Sequence, residues 1–220
     1  MGKALTRADI EALAADPSPC HLSDCDLESV DLPQLQMTGW TFERCDLRRA
    51  TLTGARIDQS RWLTCRGAFA NFSGADLSES LFQSSDFNNA VFRRSILTST
   101  SFLRCKLTGA DLSDARAMDV GFSETLLISA KLPGFSFRKR TLNKVDFSQA
   151  DLRKCDFRAT QFDDCSLRDA HMVDCRFEDA DLRGADLGGL RLIDARLFRG
   201  ATISRAQAGQ LLGELGLKVS

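Results

Sequence analysis

The chain has 220 residues, enough for one large domain or two small ones, and 43% of them are apolar, enough to build a core. Its 29 basic and 30 acidic residues leave a net charge of −1, which argues against bulk nucleic-acid binding and leaves electrostatic recognition to the arrangement of charges. The start of the chain has no apolar run of signal-peptide length, and no segment reaches the ~20 apolar residues that span a bilayer. The expectation is a cytoplasmic protein with no membrane partner, in which the eight cysteines stay reduced.

Residues 1–19 read as an N-terminal cap. Thr6 followed by Asp9 is a capping-box pair, Ile10 and Leu13 form a short apolar face, and Pro17 ends the helix.

From Leu22 a period of five takes over. Stepping by five to Leu197 gives 36 positions, of which only Gly67 and Ala117 lack a large apolar side chain, and no insertion shifts the register. Two residues before each centre lies a second regular position, usually small: Ala50, Ala55, Ser60, Ala70, Ala75 and so on. All eight cysteines, at 20, 25, 45, 65, 105, 155, 165 and 175, fall on it. Period five is neither the 3.6 of an amphipathic helix nor the 2 of an alternating strand. Positions two apart do share a side of an extended backbone, so both can face inward if each pentapeptide is a short extended segment followed by a corner. The other three positions, rich in Asp, Arg, Ser, Thr, Gln and Gly, then face water. Gly54, Gly74 and Gly109 sit at the last position, where the backbone must turn.

Ala75-Asp76-Leu77-Ser78-Glu79, Ala110-Asp111-Leu112-Ser113-Asp114 and Ala180-Asp181-Leu182-Arg183-Gly184 resemble the A(D/N)LxX consensus of the pentapeptide-repeat proteins, with variants from about residue 20 to 199. The resemblance implies an all-β fold: a right-handed quadrilateral β-helix of about nine coils over residues 20–199, four pentapeptides to a coil, with short N-terminal and C-terminal capping helices. Residues 20 apart would then stack on one face.

Within this frame Lys131–Arg140 stands out, because Phe135 and Arg140 take positions normally held by small residues, and a local bulge is expected. Trp40 and Leu35 strain the same position earlier in the chain. The stretch 154–177 places Cys155, Cys165 and Cys175 around His171 and invites a zinc reading. The coil geometry opposes it: Cys155 and Cys175 would stack on one face, Cys165 would lie on the opposite one, and His171 would face solvent, so they cannot surround a tetrahedral ion. The two histidines, His21 and His171, are too far apart along the axis for a nucleophilic relay. No metal, no cofactor and no catalysis is expected.

Charge is unevenly distributed along the chain. Residues 131–160 carry eight basic and three acidic residues, and residues 161–190 carry eight acidic and three basic ones. Residues 200–220 read as a C-terminal cap: a helix with Ser204 as N-cap, Gly216 as stop, and Ala208, Leu211, Leu212 and Leu215 on one stripe.

This ending, an Ile, a helix with a Gln-Leu-Leu core, then Leu-Gly-Leu-Lys-Val, resembles that of the Qnr-type quinolone-resistance pentapeptide-repeat proteins. The unbroken register is closer to their loop-free gyrase-binding relatives. The resemblance implies a homodimer through Ile203, Ala208, Leu211, Leu212, Leu215 and Leu217. It also implies DNA gyrase as a partner, with topoisomerase IV as a second candidate, bound by imitation of DNA and without direct contact to nucleic acid. The acidic residues nearest the dimer end, Asp163, Asp164, Asp169, Asp179, Asp181 and Asp186, would supply the partner-binding surface. The competing expectation is a solenoid scaffold that binds some unrelated protein.

Overall fold

The computed structural model describes residues 2–190, 195–214 and 216–218. They form two compact units, Met1–Leu126 and Leu127–Ser220, each a β-solenoid and together holding about nine turns.

Unit 1 begins with β1 (Lys3–Ala4) and α1 (Arg7–Ala14), followed by β2 (His21–Ser23), β3 (Cys25–Asp26), β4 (Thr41–Glu43), β5 (Arg61–Leu63), β6 (Leu81–Gln83), β7 (Ser101–Leu103) and β8 (Gly121–Ser123). The strands from β2 and β4 through β8 stack in parallel with a register of 20, as in His21 opposite Thr41 and Phe42 opposite Trp62. The other sides of the solenoid pair through single bridges with the same register, such as Asp31 to Thr51 and Thr51 to Asn71. Unit 2 repeats the pattern with β9 (Thr141–Asn143), β10 (Gln161–Asp163), β11 (Cys165–Ser166) and β12 (Ala185–Asp186), then ends in α2 (Arg205–Glu214).

Corners follow from the pentapeptide. At most of them the amide after the last repeat position donates to the central carbonyl three residues earlier, as from Ala50 to Leu47 at 3.0 Å. The last position then needs positive φ, the conformation that favours glycine in a turn. Gly54, Gly74 and Gly109 hold it with φ of 64°, 67° and 69°. Most corners, however, are non-glycine: Gln34, Arg94 and Asp164 adopt φ of 58°, 57° and 51°. Stacking with the neighbouring turn sustains what an isolated residue would avoid.

The core is built from the two inward positions. Phe42 stacks on Trp62 at 4.1 Å and Phe82 on Phe102 at 4.8 Å, and in unit 2 Phe137, Phe157 and Phe177 form a column with spacings of 4.9 and 5.0 Å. Where Gly67 leaves a central position empty the ring of Phe87 enters, so close that a Cβ on Gly67 would lie 2.1 Å from it. The small position explains the cysteines. Ser85, Thr125 and Thr160 donate their hydroxyls to carbonyls 23 residues earlier, and Cys45, Cys65, Cys155, Cys165 and Cys175 donate their thiols in the same way. Cysteine here is a small buried group with a weak donor, interchangeable with Ser or Thr.

Two sequence expectations need correction. Residues 131–140 contain no bulge: the turn pattern is regular, Phe135 is buried beside Phe137, and Arg140 is exposed. A large residue fits there by packing on its neighbour, and an Arg fits by leaving the core. The register does slip elsewhere. Asp181 pairs with Thr202, 21 residues on, and Phe198 stacks on Phe177 at 4.9 Å in the place expected for Leu197. One extra residue therefore enters the last turn, which a count of apolar positions conceals because Leu197 and Phe198 are both apolar.

Candidate protein-interaction surface

The cysteine and histidine cluster dissolves in three dimensions. Cys155, Cys165 and Cys175 are buried, each bonded to a different backbone carbonyl, while His171 is exposed with Nδ1 3.9 Å from Asp151 Oδ1. Burial pushes the Cys105 thiol up to about 11. A thiol raised in this way is a poor nucleophile and a poor metal ligand. Among the described residues, the His, Cys, Asp and Glu side chains that gather within 4.8 Å are Asp26, Glu28 and Asp46. Asp46 there accepts from Arg48 Nη2 at 2.7 Å and Arg66 Nη2 at 2.8 Å, so its counter-charge is already present.

What the solenoid offers instead is surface. In unit 2 the corners of one turn are Asp164, Asp169, Asp174 and Asp179, all exposed, with φ between 51° and 61°. Aspartate tolerates this conformation better than most residues, which makes an acidic corner compatible with the fold. None of the four forms an ion pair among the described residues. The neighbouring acids differ: Asp181 is held by Arg183 at 2.6 Å and Asp186 by Arg168 at 2.9 Å, while Asp163 accepts from Asn143 Nδ2 at 2.7 Å. The Arg183 guanidinium holds the Asp181 carboxyl below the usual carboxylate range. The uncompensated acidity is therefore a ring of corners. Asp174 belongs to it but is absent from the sequence-derived set; the corner spacing of five was the signal that could have found it.

At the C-terminal end, Ser204 Oγ accepts from the Gln207 amide and Gln207 Oε1 from the Ser204 amide, a capping box that starts α2. The Gln207 Nε2 amide is buried and donates to the carbonyls of Leu182 and Ala185, both at 2.7 Å. Leu211 is buried within its own chain, whereas Ile203, Leu212 and Leu217 are 38%, 39% and 56% exposed. Ala208 is half-buried, and Leu215 lies outside the described residues.

Unit 1 has its own exposed features. Phe69, 57% exposed, occupies a corner with φ of 62°, an unusual conformation for a bulky side chain. No helix among the described residues is long and apolar enough to cross a membrane.

The chain matches the pentapeptide repeat region profile over residues 18–92 and the pentapeptide repeats profile over 75–114, 122–158 and 160–197. No curated protein sequence matches it. Among solved structures it is similar to full-length QnrB1, described as a plasmid-mediated fluoroquinolone resistance protein, with 21% identity, a TM-score of 0.74, and coverage of 90% of this chain and 98% of that one. A trypsin-treated variant of QnrB1 matches at 22% identity and a TM-score of 0.66, covering 92% and 98%. HetL from Nostoc sp. strain PCC 7120, a pentapeptide repeat protein involved in regulating heterocyst differentiation, matches at 18% identity and a TM-score of 0.36, covering 90% and 94%. With two repeat profiles spanning most of its length and a stacked pentapeptide core, this chain belongs to the pentapeptide-repeat family.

Proposed function

We propose that this protein is a homodimeric DNA mimic that binds DNA gyrase, with topoisomerase IV as a second candidate, and modulates the enzyme or protects it from quinolones or a natural gyrase poison. The observation that carries the reading is the ring of unpaired aspartates, Asp164, Asp169, Asp174 and Asp179, in the same unit as the apolar side chains exposed in and around α2, Ile203, Leu212 and Leu217. A DNA-binding saddle is basic, so rigidly spaced carboxylates steer it to this surface and the association weakens with salt. The likeness to QnrB1 over nearly its whole length supports the reading. Duplex DNA carries a charge every ~1.7 Å, so the imitation is partial. Asp181 and Asp186 contribute less field than the corners, because Arg183 and Arg168 compensate them.

The test is a gyrase supercoiling assay, with and without a quinolone. The wild type inhibits supercoiling or relieves the drug's effect. Replacing Asp164, Asp169, Asp174 and Asp179 together by Lys removes that effect while the fold persists, since all four side chains are exposed. Arg138→Glu with Lys139→Glu, in the basic stretch, serves as the comparison. A folded acid-reversed variant that acts like the wild type would leave the scaffold reading in place.

A further inference from the structure

On one side of unit 1, successive corners along the stack are Gln34, Gly54, Gly74 and Arg94. The two glycines contribute no side chain, and a Cβ on Gly74 would meet nothing within 4 Å. An open notch of about 340 Å³ results, lined by Thr53, Ser73, Gly74, Arg93 and Arg94.

The residues that line it are basic or polar, apart from the glycine. The Arg94 guanidinium has no hydrogen bond or ion pair among the described residues, although Asp114 occupies the next corner. Arg93 makes only a long ion pair, Nε to Asp111 Oδ2 at 4.0 Å, without a hydrogen bond. Elsewhere arginines behave differently: Arg153 and Arg158 each hold an aspartate with two bonds of 2.5–2.8 Å. Ser73 donates its hydroxyl to Asn71 Oδ1, whereas the Thr53 hydroxyl has no partner among the described residues. No carboxylate lines the notch. Arg93, Arg94 and Thr53, whose hydroxyl has no partner among the described residues, thus border one concavity from which the corner side chain is missing.

We propose that this notch binds a compact oxyanion, a phosphate or a carboxylate group, held by Arg93, Arg94 and the Thr53 hydroxyl. The fork of guanidinium donors matches either group. The site is independent of the acidic ring, which lies in unit 2 and has the opposite sign, and it stands whether or not a topoisomerase is the partner.

The test is an NMR titration of the full-length, isotope-labelled chain with sodium phosphate in one arm and sodium acetate in the other, at constant ionic strength set with chloride. Saturable shifts are expected at the amides of Thr53, Ser73 and Gly74 and at the Nε–H groups of Arg93 and Arg94. Tighter phosphate binding assigns a phosphoryl ligand, and tighter acetate binding assigns a carboxylate. Gly74→Gln fills the notch in a conformation that Gln34 and Gln59 already adopt, and Arg94→Gln removes the charge. Each should weaken binding about tenfold, while Arg49→Gln changes nothing. Arg94 is exposed, so its substitution keeps the test intact even if the Gly74 variant fails to fold. Shifts that never saturate, that are as large at Arg49, Arg56 and Arg61, or that survive Arg94→Gln would overturn the site.

Discussion

The two ends of the repeat are closed by different means. At the N-terminal end the cover is backbone: β1 pairs in parallel with β3, the Lys3 and Leu5 amides donate to Asp24 and Asp26 carbonyls at 3.1 and 3.0 Å, and α1 places Ile10 in the core with no exposure. At the C-terminal end the cover is a side chain. Gln207 reaches the carbonyls of Leu182, which also accepts from the Ala185 amide, and of Ala185, which has no other donor among the described residues; Leu211 supplies the apolar contact. The first end leaves a single large apolar residue of its helix exposed, Leu13 at 39%, and the second leaves Ile203, Leu212 and Leu217 exposed in one short segment. Both ends solve the problem of unpaired strand edges, but only the second keeps an apolar surface of the kind that an isologous partner covers.

Breaking the N-terminal cover has the largest expected effect. Ile10→Ala deletes a fully buried side chain and should cost about 2–5 kcal/mol in chemical denaturation, whereas Leu13→Ala, half out in water, should cost far less. An equal loss from both would mean that α1 is only loosely applied to the first turn.

Next comes Gln207→Ala. It orphans the Ala185 carbonyl and strips one of two donors from that of Leu182, and it should cost about 2 kcal/mol, read as lost hydrogen-exchange protection in the last turn. No loss of protection there would show that the C-terminal end is closed by Leu211 alone.

The caps separate the ends by pH. Thr6→Ala removes the N-cap and should cost about 1 kcal/mol. Asp9, the other half of that box, has its carboxyl held below the usual range by the Thr6 hydroxyl and amide. Its contribution is therefore present above the ordinary aspartate pKa of about 4 and lost as pH falls through the lower folded value. The equivalent box at α2 pairs Ser204 with Gln207 and has no titratable group. Exchange of the Ile10 amide should quicken on acidification to below pH ~4, and that of the Ala208 amide should not respond through its cap.

The smallest effect on stability, and the sharpest on assembly, belongs to Leu212→Asp. At 39% exposure the residue contributes little to the monomer, so unfolding should shift by less than about 0.5 kcal/mol. Sedimentation should nevertheless show a dimer converted to monomer. A wild type that sediments as a monomer at micromolar concentration would make the exposed leucines a cap edge and nothing more.

Much of this was legible in the chain. The inward positions, the corner glycines, the Thr6–Asp9 box and the Ser204 cap follow from period and residue type, because each depends on neighbours within five residues. The acidic stretch was legible too, and the spacing of five marks its corners, but which acids are neutralised was not, since the pairing of Asp181 with Arg183 and of Asp186 with Arg168 depends on side-chain reach along and across turns. The bulge expected at 131–140 is absent because the misfit of Phe135 is absorbed by packing against the central Phe137, and how two rings accommodate each other is not contained in the spacing of the repeat.

By itself the sequence determined that the protein is a stack of five-residue segments, since a large apolar side chain at every fifth position and a small one two before it can both be buried only in a coil that turns at each fifth residue. The tertiary structure decided what depends on residues 20 or more apart. It put Phe87 into the space that Gly67 leaves, Phe198 in the column where Leu197 was expected, β1 on the first edge and Gln207 on the last, and it left Arg94 facing an empty corner. Those outcomes rest on volume and hydrogen-bond satisfaction between adjacent turns, quantities that a one-dimensional pattern does not contain.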